Sequence, residues 1–382
     1  MTINVLMLEA TGTGGICHYT YNLCRELIEK QIAVHLATNR RNYELENRKN
    51  IPFPFYKVLD RERYLNPEGL PCDELYLEVI QLAKKIRPSI VHFQWPLCPK
   101  FDPYFLNHLR REISCKYVYT AHNLLPHNQT EKDCEIFGTL YQNIDAIIVH
   151  GNNLVTNFQK IFNFFPKRLI SIPLGNYNFL VPKTFTDLKE ARKLLGLPTD
   201  KIILLFFGYI SDYKGLEYLL QSLPLVKQKS SDFCLVIAGA CPDFSKYALL
   251  IEELGIKCQI KTFIGYQPFE KVPLFFQGAD IVVLPYKETY QSAVVQVAYA
   301  FGKPVIATNV GALPEVIVEG KSGFLVPPCN SQALADKILY LIKDYKTCRD
   351  MGAYSKNLAH THFSWKKVSE KTIQLYQELL KN

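Results

Sequence analysis

The feature that most restricts the fold of this 382-residue chain is a repeated alternation of short apolar runs with amphipathic stretches. The first run is Ile3 to Leu8, and further strands are expected at 33–37, 53–58, 90–94, 116–121, 145–149 and 168–173. Helical periodicity fills the gaps at about 74–87, 103–113, 130–143 and 152–164. Strand runs that are apolar on both faces, each followed by a helix, predict an α/β chain with a parallel, doubly wound sheet. The segment LGNYNFLVPKTFTD at 174–187 breaks the periodicity with Gly, Asn and Pro and reads as a connection between domains. A second alternation follows: strands at 201–207, 233–239, 258–264 and 280–284, helices at 215–227, 243–254 and 268–277. A chain of this length is expected to build two cores.

Composition narrows the function classes. The chain is 48% hydrophobic and 21% charged, the profile of a folded domain and not of a disordered one. Its formal net charge of +8 is spread without a basic block, which suits anionic ligands or a weak attraction to a membrane surface and argues against nucleic acid. Eleven cysteines, an odd number with no C-x-x-C pair, read as buried thiols in a reducing compartment. No metal-ligand spacing is found, and no run approaches a membrane span. The start, MTINVLMLEA, lacks the basic region of a signal peptide, so a cytoplasmic chain is expected, with peripheral contact at the inner membrane face left open. The segment NFQKIFNFFPKR at 157–168 has four Phe and three basic residues; it is read as core-packing helix before interfacial helix.

The chemistry concentrates in Asp280 to Thr308, DIVVLPYKETYQSAVVQVAYAFGKPVIAT. An apolar strand ends at Pro285, a polar loop runs from Tyr286 to Gln291, and Ser292 opens an apolar run long enough for about three helical turns. Gly302 stops that helix, and Val305-Ile306-Ala307 is the next strand. Where a parallel strand hands over to a helix, the free N–H groups of the first turn attract anions. The small residues Ser292 and Ala293 would let a diphosphate approach the backbone closely.

Three other strand exits carry candidates. After the first strand comes Glu9-Ala10-Thr11-Gly12-Thr13-Gly14-Gly15, a glycine-rich turn without the dinucleotide or Walker spacing. After the fifth comes Tyr119-Thr120-Ala121-His122, which puts a histidine at the carboxyl edge of the sheet; His127, five residues on, is a second group there or a loop filler. In FFGYISDYKGLEYLL, Gly208 ends a strand and Lys214-Gly215 stand at the mouth of a helix, where an ammonium suits a phosphate. Phe263-Ile264-Gly265-Tyr266 repeats the strand-then-glycine exit, with Tyr266 placed to stack on a base or cover the core edge.

These stretches, with QVAYAFGKPVIATNVGALPEVIVEGKSGFLVPP, resemble the GT-B glycosyltransferases of the GT4-type retaining family, over nearly the whole chain. The resemblance implies two Rossmann-like, doubly wound domains facing across a cleft. An N-terminal acceptor-side domain would span 1–176, with the helix 365–382 crossing back onto it, and a nucleotide-sugar-binding domain would span 187–362. It implies transfer of a sugar with retention from a UDP- or GDP-linked donor to a glycan, lipid-linked or small-molecule acceptor. The donor is a co-substrate; no cofactor and no metal are required, in keeping with the lack of a D-x-D pair.

By position, Gly14 and Gly15 would approach the donor, His122 would touch the transferred sugar, and Lys214 would neutralise the departing diphosphate. Ser292 and Ala293 would cradle that diphosphate, Tyr266 and Gln267 would lie by the base, and Gly208, Tyr209, Ser211, Glu288 and Gln291 complete the donor side. The family's pair of glutamates falls on Thr289 and Val297, with Glu288 one residue off, and its arginine falls on Tyr209. These departures keep two rivals open: a catalytically weak or inactive nucleotide-sugar-binding partner protein, and a GT-B sugar epimerase.

Overall fold

Two parallel sheets carry the chain in the computed structural model, which describes residues 3–42, 50–67, 72–126, 130–182 and 187–381. The chain divides into two units, Met1–Leu174 with Trp365–Asn382, and Gly175–Ser364. His127 lies outside the described residues.

The first unit contains β1 (Asn4–Glu9), α1 (Gly14–Glu29), β2 (Ala33–Asn39), β3 (Phe55–Leu59), α2 (Arg61–Leu65), α3 (Cys72–Ile86) and β4 (Ile90–Phe93). It continues through α4 (Asp102–Glu112), β5 (Lys116–Thr120), α5 (Glu131–Gln142), β6 (Ala146–Val149), α6 (Asn152–Phe162) and β7 (Leu169–Ser171). Its seven strands run in the order β3-β2-β1-β4-β5-β6-β7. Chain direction along the sheet therefore reverses between β1 and β4, and at such a switch point the loops leaving the strands part to admit a ligand.

The second unit runs α7 (Leu188–Leu194), β8 (Ile202–Phe207), α8 (Leu216–Lys227), β9 (Phe233–Gly239), α9 (Ser245–Glu253), β10 (Ile260–Ile264), α10 (Val272–Gly278) and β11 (Ile281–Leu284). Then come α11 (Ala293–Ala300), β12 (Val305–Thr308), α12 (Leu313–Val316), β13 (Gly323–Val326), α13 (Ser331–Lys343) and α14 (Tyr345–Thr361). Six strands lie in the order β10-β9-β8-β11-β12-β13, with the switch point between β8 and β11. Strands β9, β11 and β12 are buried along their whole length, as expected of strands covered by helices on both faces.

The last helix, α15 (Trp365–Lys381), belongs to the first unit and packs its apolar face on α1. The Tyr376 hydroxyl reaches buried His92 on β4 at 2.6 Å, and the Trp365 ring meets Tyr19 edge-on. Residues 174–182 are less of a free connection than their composition suggests. Tyr177 and Leu180 are buried in the second unit's core, and the Asn176 amide donates to the Ala359 carbonyl at 2.8 Å.

The sequence reading assigns no helix to α2, α7, α13 or α14. Asp280, the first residue of the central stretch, is structural: its carboxylate pairs with buried Arg192 of α7 at 2.5 Å and accepts from the Ile203 N–H at 2.6 Å. The helix after Ser292 is eight residues, about two turns and not three, because Phe301 already leaves the helical conformation ahead of Gly302. In the Phe-rich segment, Phe158, Phe162 and Phe164 pack on one another and on Tyr141, leaving only Phe165 of the four exposed. No helix among the described residues is long and apolar enough to cross a membrane.

Candidate active site

At the switch point of the second sheet, β8 ends and the chain turns through Gly208 with φ +110°, a conformation that glycine adopts without strain. A Cβ there would stand 3.2 Å from the Lys214 ammonium. Ser211 then starts a single 3₁₀ turn, Asp212–Lys214, and Gly215 with φ +63° enters α8. A Cβ on Gly215 would collide with the Pro285 carbonyl oxygen, so glycine is what lets the lysine turn lie against the exit of β11.

Lys214 is 8% exposed. Its neighbours Lys246 and Lys287 are both paired with carboxylates, of Asp212 and Glu217. Lys214 has no carboxylate partner among the described residues; its ammonium lies 3.4 Å from the Tyr286 hydroxyl and 5.0 Å from the centre of that ring. A buried cation without a counter-charge is costly unless an anion joins it.

Tyr286, buried just past the end of β11, connects this lysine to the next element. Its hydroxyl is also 3.4 Å from Ser292 Oγ. Ser292 is the N-cap of α11 but its side chain caps no N–H, so Ser292 and the backbone of Ala293 present that first turn uncapped. The structure thus brings Lys214, Tyr286, Ser292 and Ala293 together. Two further polar atoms on these loops, Ser211 Oγ and Gln291 Oε1, are buried without a hydrogen-bond partner.

Other donor-side candidates are spread more widely. Tyr209 and Tyr266 are exposed, the latter 76%. Gln267 uses its amide on the carbonyls of Phe263 and Gly265, at 2.8 and 3.0 Å, holding its own loop closed. Glu288 is exposed. The Thr289 hydroxyl donates to the Gln291 carbonyl at 2.8 Å, and Val297 is buried in the apolar core. No carboxylate therefore replaces the glutamates at these two positions.

In the first unit the exits of β5 and β6 carry two buried histidines and, among the described residues, no ammonium. His122, just beyond β5, is 5% exposed and lies 3.2 Å from His150 at the end of β6. His150 Nδ1 is 2.8 Å from the Ile172 carbonyl, which only accepts, so Nδ1 holds the proton. Neutral His150 then offers Nε2 as acceptor, His122 must donate through Nδ1, and the lone pair of His122 falls on Nε2. That atom is buried and has no partner. Burial holds the pKa of His122 well below the ordinary histidine value and that of His150 at about 4, so both rings stay neutral. Tyr19 packs edge-on against His122, and its hydroxyl is likewise buried without a partner.

The glycine-rich turn is organised by Glu9, the last residue of β1. Its buried carboxylate accepts from the Thr11 N–H at 2.6 Å, the Gly12 N–H at 3.1 Å, and the hydroxyls of Thr11 and Thr38. Gly14 and Gly15, at the start of α1, are exposed, and a Cβ on Gly14 would meet nothing within 4 Å. Sequence reasoning missed Glu9, His150 and Tyr286. All three stand where an apolar strand run ends, the same signal that singled out His122.

Two family models match: glycosyltransferase family 4 over residues 13–175, and glycosyl transferases group 1 over residues 187–358. Among curated relatives, D-inositol 3-phosphate glycosyltransferase of Corynebacterium diphtheriae is 26% identical, across 98% of this chain and 93% of its own. Among solved structures, Anabaena Alr3699/HepE in complex with UDP and glucose superposes with TM-score 0.80 at 19% identity, covering 98% of this chain and 100% of that one. A glycosyltransferase from Rickettsia africae gives TM-score 0.79 at 19% identity, over 100% and 99%. Two doubly wound parallel sheets in this strand order, matched end to end by these relatives, make the chain a GT-B glycosyltransferase of the GT4-type family.

Proposed function

We propose that this enzyme transfers a hexosyl group, with retention at the anomeric carbon, from a UDP- or GDP-linked sugar to a hydroxyl acceptor, without a metal or cofactor. The observation that carries the reading is the buried Lys214 ammonium, without a carboxylate, beside the uncapped first turn of α11. In the transition state the bond from the sugar to the diphosphate breaks and negative charge grows on the leaving oxygen. A fixed ammonium, the Tyr286 and Ser292 hydroxyls and the helix N–H groups stabilise that charge more than they stabilise the intact donor. His122, neutral with its lone pair on Nε2, accepts a hydrogen bond from a hydroxyl of the transferred sugar and holds the ring in place.

The UDP and glucose held by the Anabaena neighbour support a UDP-hexose donor, and the inositol phosphate glycosylated by the Corynebacterium relative supports an acceptor that carries phosphate. The test is turnover of a panel of UDP- and GDP-hexoses, with release of the nucleoside diphosphate measured and the product anomer read by NMR. Release coupled to a product with the donor's anomeric configuration supports the proposal. Tight donor binding with no release across the panel favours the inactive-partner reading, for which the missing glutamates at Thr289 and Val297 speak. A changed sugar formed without any acceptor favours the epimerase reading.

A further inference from the structure

The first unit holds a cavity of ≈ 820 Å³ beside the turn that carries Gly14 and Gly15. Ala10 and Thr11 of that turn form one wall, α2 a second, the 95–101 segment after β4 a third, and α5 a fourth. The cavity is therefore placed at the strand exits on either side of the first sheet's switch point.

Its chemistry is uneven. Tyr64, Leu65, Trp95, Phe101 and Phe137 line it together with four prolines. Leu65 is 66% exposed, an apolar side chain left on an open wall. Groups able to meet sugar hydroxyls are few. They are Thr11, Asn66 and the carboxylate of Asp133 on the α5 wall, whose Oδ2 already accepts from the Thr130 N–H at 2.6 Å and hydroxyl at 2.9 Å. A glycan pressed against such a surface would leave hydroxyls unpaired, which weakens binding.

Two cations border the cavity, Arg61 and Lys100. Neither has a carboxylate partner among the described residues, whereas nearby Arg40 and Arg41 are paired with Glu78 and Glu62. The walls are also fixed in advance. The buried Asp102 carboxylate accepts from the Leu97 and Cys98 N–H groups, each at 3.0 Å, and from the Tyr76 hydroxyl at 2.7 Å, while Glu9 holds the opposite wall. A preformed cavity loses little conformational freedom when it is filled.

We propose that this cavity takes the acceptor, and that the acceptor is an amphiphile with an apolar hydrocarbon body and a phosphate that meets Arg61 and Lys100. The proposal rests on the glycosyl-transfer reading and selects among acceptors that reading leaves open.

The experiment is calorimetric titration of the full chain with farnesyl phosphate below its micelle concentration, compared with farnesol, D-inositol 3-phosphate and maltose. UDP is titrated into each variant as the control for the donor side. Farnesyl phosphate should bind about tenfold or more tightly than any of the other three. Leu65→Asp, a change at an exposed position, should weaken it by about tenfold, and Arg61→Gln with Lys100→Gln should reduce it to the level of farnesol. UDP binding should be the same in all variants. Maltose or D-inositol 3-phosphate binding as well as farnesyl phosphate, or farnesyl phosphate binding unchanged by both variants, would overturn the proposal. Loss of UDP binding in the unaltered chain would instead strike the nucleotide-sugar reading and leave the cavity result standing.

Discussion

The two sheets present their strand ends in opposite electrical styles. The first unit buries His122, His150, Tyr19 and the Glu9 carboxylate there, a polar group of side chains that carries no free positive charge. The second unit buries one ammonium, Lys214, against a tyrosine ring and a short helix. Neutral donors and acceptors in fixed tautomers recognise hydroxyls by geometry. An unpaired charge in a site of low dielectric recognises an opposite charge and strengthens as that charge grows. Under the proposed function, the first style serves to read a sugar and the second to stabilise a departing phosphate.

The largest test of that division is Lys214→Ala. Removing one preorganised charge from a transition state costs on the order of a hundredfold or more, so kcat should fall by at least that amount. If kcat falls by less than tenfold, the division of labour is wrong. His122→Ala should lower kcat/KM by about ten- to a hundredfold, the range of one lost hydrogen bond that positions the reacting ring, while UDP binding stays unchanged.

The same assignment fixes a pH profile. Burial keeps His122 neutral well below the ordinary value near 6.5, so the rate should show no inflection from it around that pH. An inflection near 6.5 that disappears in His122→Gln would contradict the tautomer assignment.

Glu9→Gln sharpens the comparison at the glycine turn. An amide offers one acceptor oxygen where the carboxylate offers two, so part of the clamp on Thr11, Gly12 and Thr38 is lost. Transfer should slow by about tenfold, the scale of one lost hydrogen bond, with the melting temperature lowered slightly.

Asp102→Asn tests the energetics of the first unit. His92 and His150, held neutral with pKa values of about 3 and 4, take up protons more readily in the unfolded chain. Their contribution to stability is complete above pH 6.5 and is lost as pH falls toward 4 and then 3. Asp102, pushed up to about 6 by burial, acts in the opposite sense: the folded chain binds its proton more tightly, so stability falls as pH rises from about 4 to 6. Without Asp102, the melting temperature should rise more steeply between pH 4 and 6 than in the unaltered chain. The smallest effect is expected from Glu288→Ala: this carboxylate is exposed, and kcat should change by less than twofold.

Much of this was legible in the residues because apolar strand runs are local. Segments such as Ile281–Leu284 or Phe233–Gly239 announce buried strands by themselves, and the loops after them locate the candidate site. Lys214 could be singled out because it stands beside a glycine at a helix mouth. Its lack of a counter-charge could not be read, since Asp212 and Glu217 are close in sequence but bind other lysines. The His122–His150 contact joins residues 28 apart on neighbouring strands, and the tautomer follows only from the Ile172 carbonyl beyond them. The segment 174–182 reads as a connection from its Gly, Asn and Pro, because the contacts that fix it, from the Asn176 side-chain amide to the Ala359 carbonyl and from the Asn176 N–H to the Phe363 carbonyl, are remote in sequence.

The most direct measurement of the central claim compares UDP with uridine as ligands of the unaltered chain and of Lys214→Met, by calorimetry. The account predicts that UDP binds far more tightly than uridine to the unaltered chain, that Lys214→Met loses about tenfold or more of that advantage, and that uridine binds both alike. UDP binding to Lys214→Met as tightly as to the unaltered chain would contradict it.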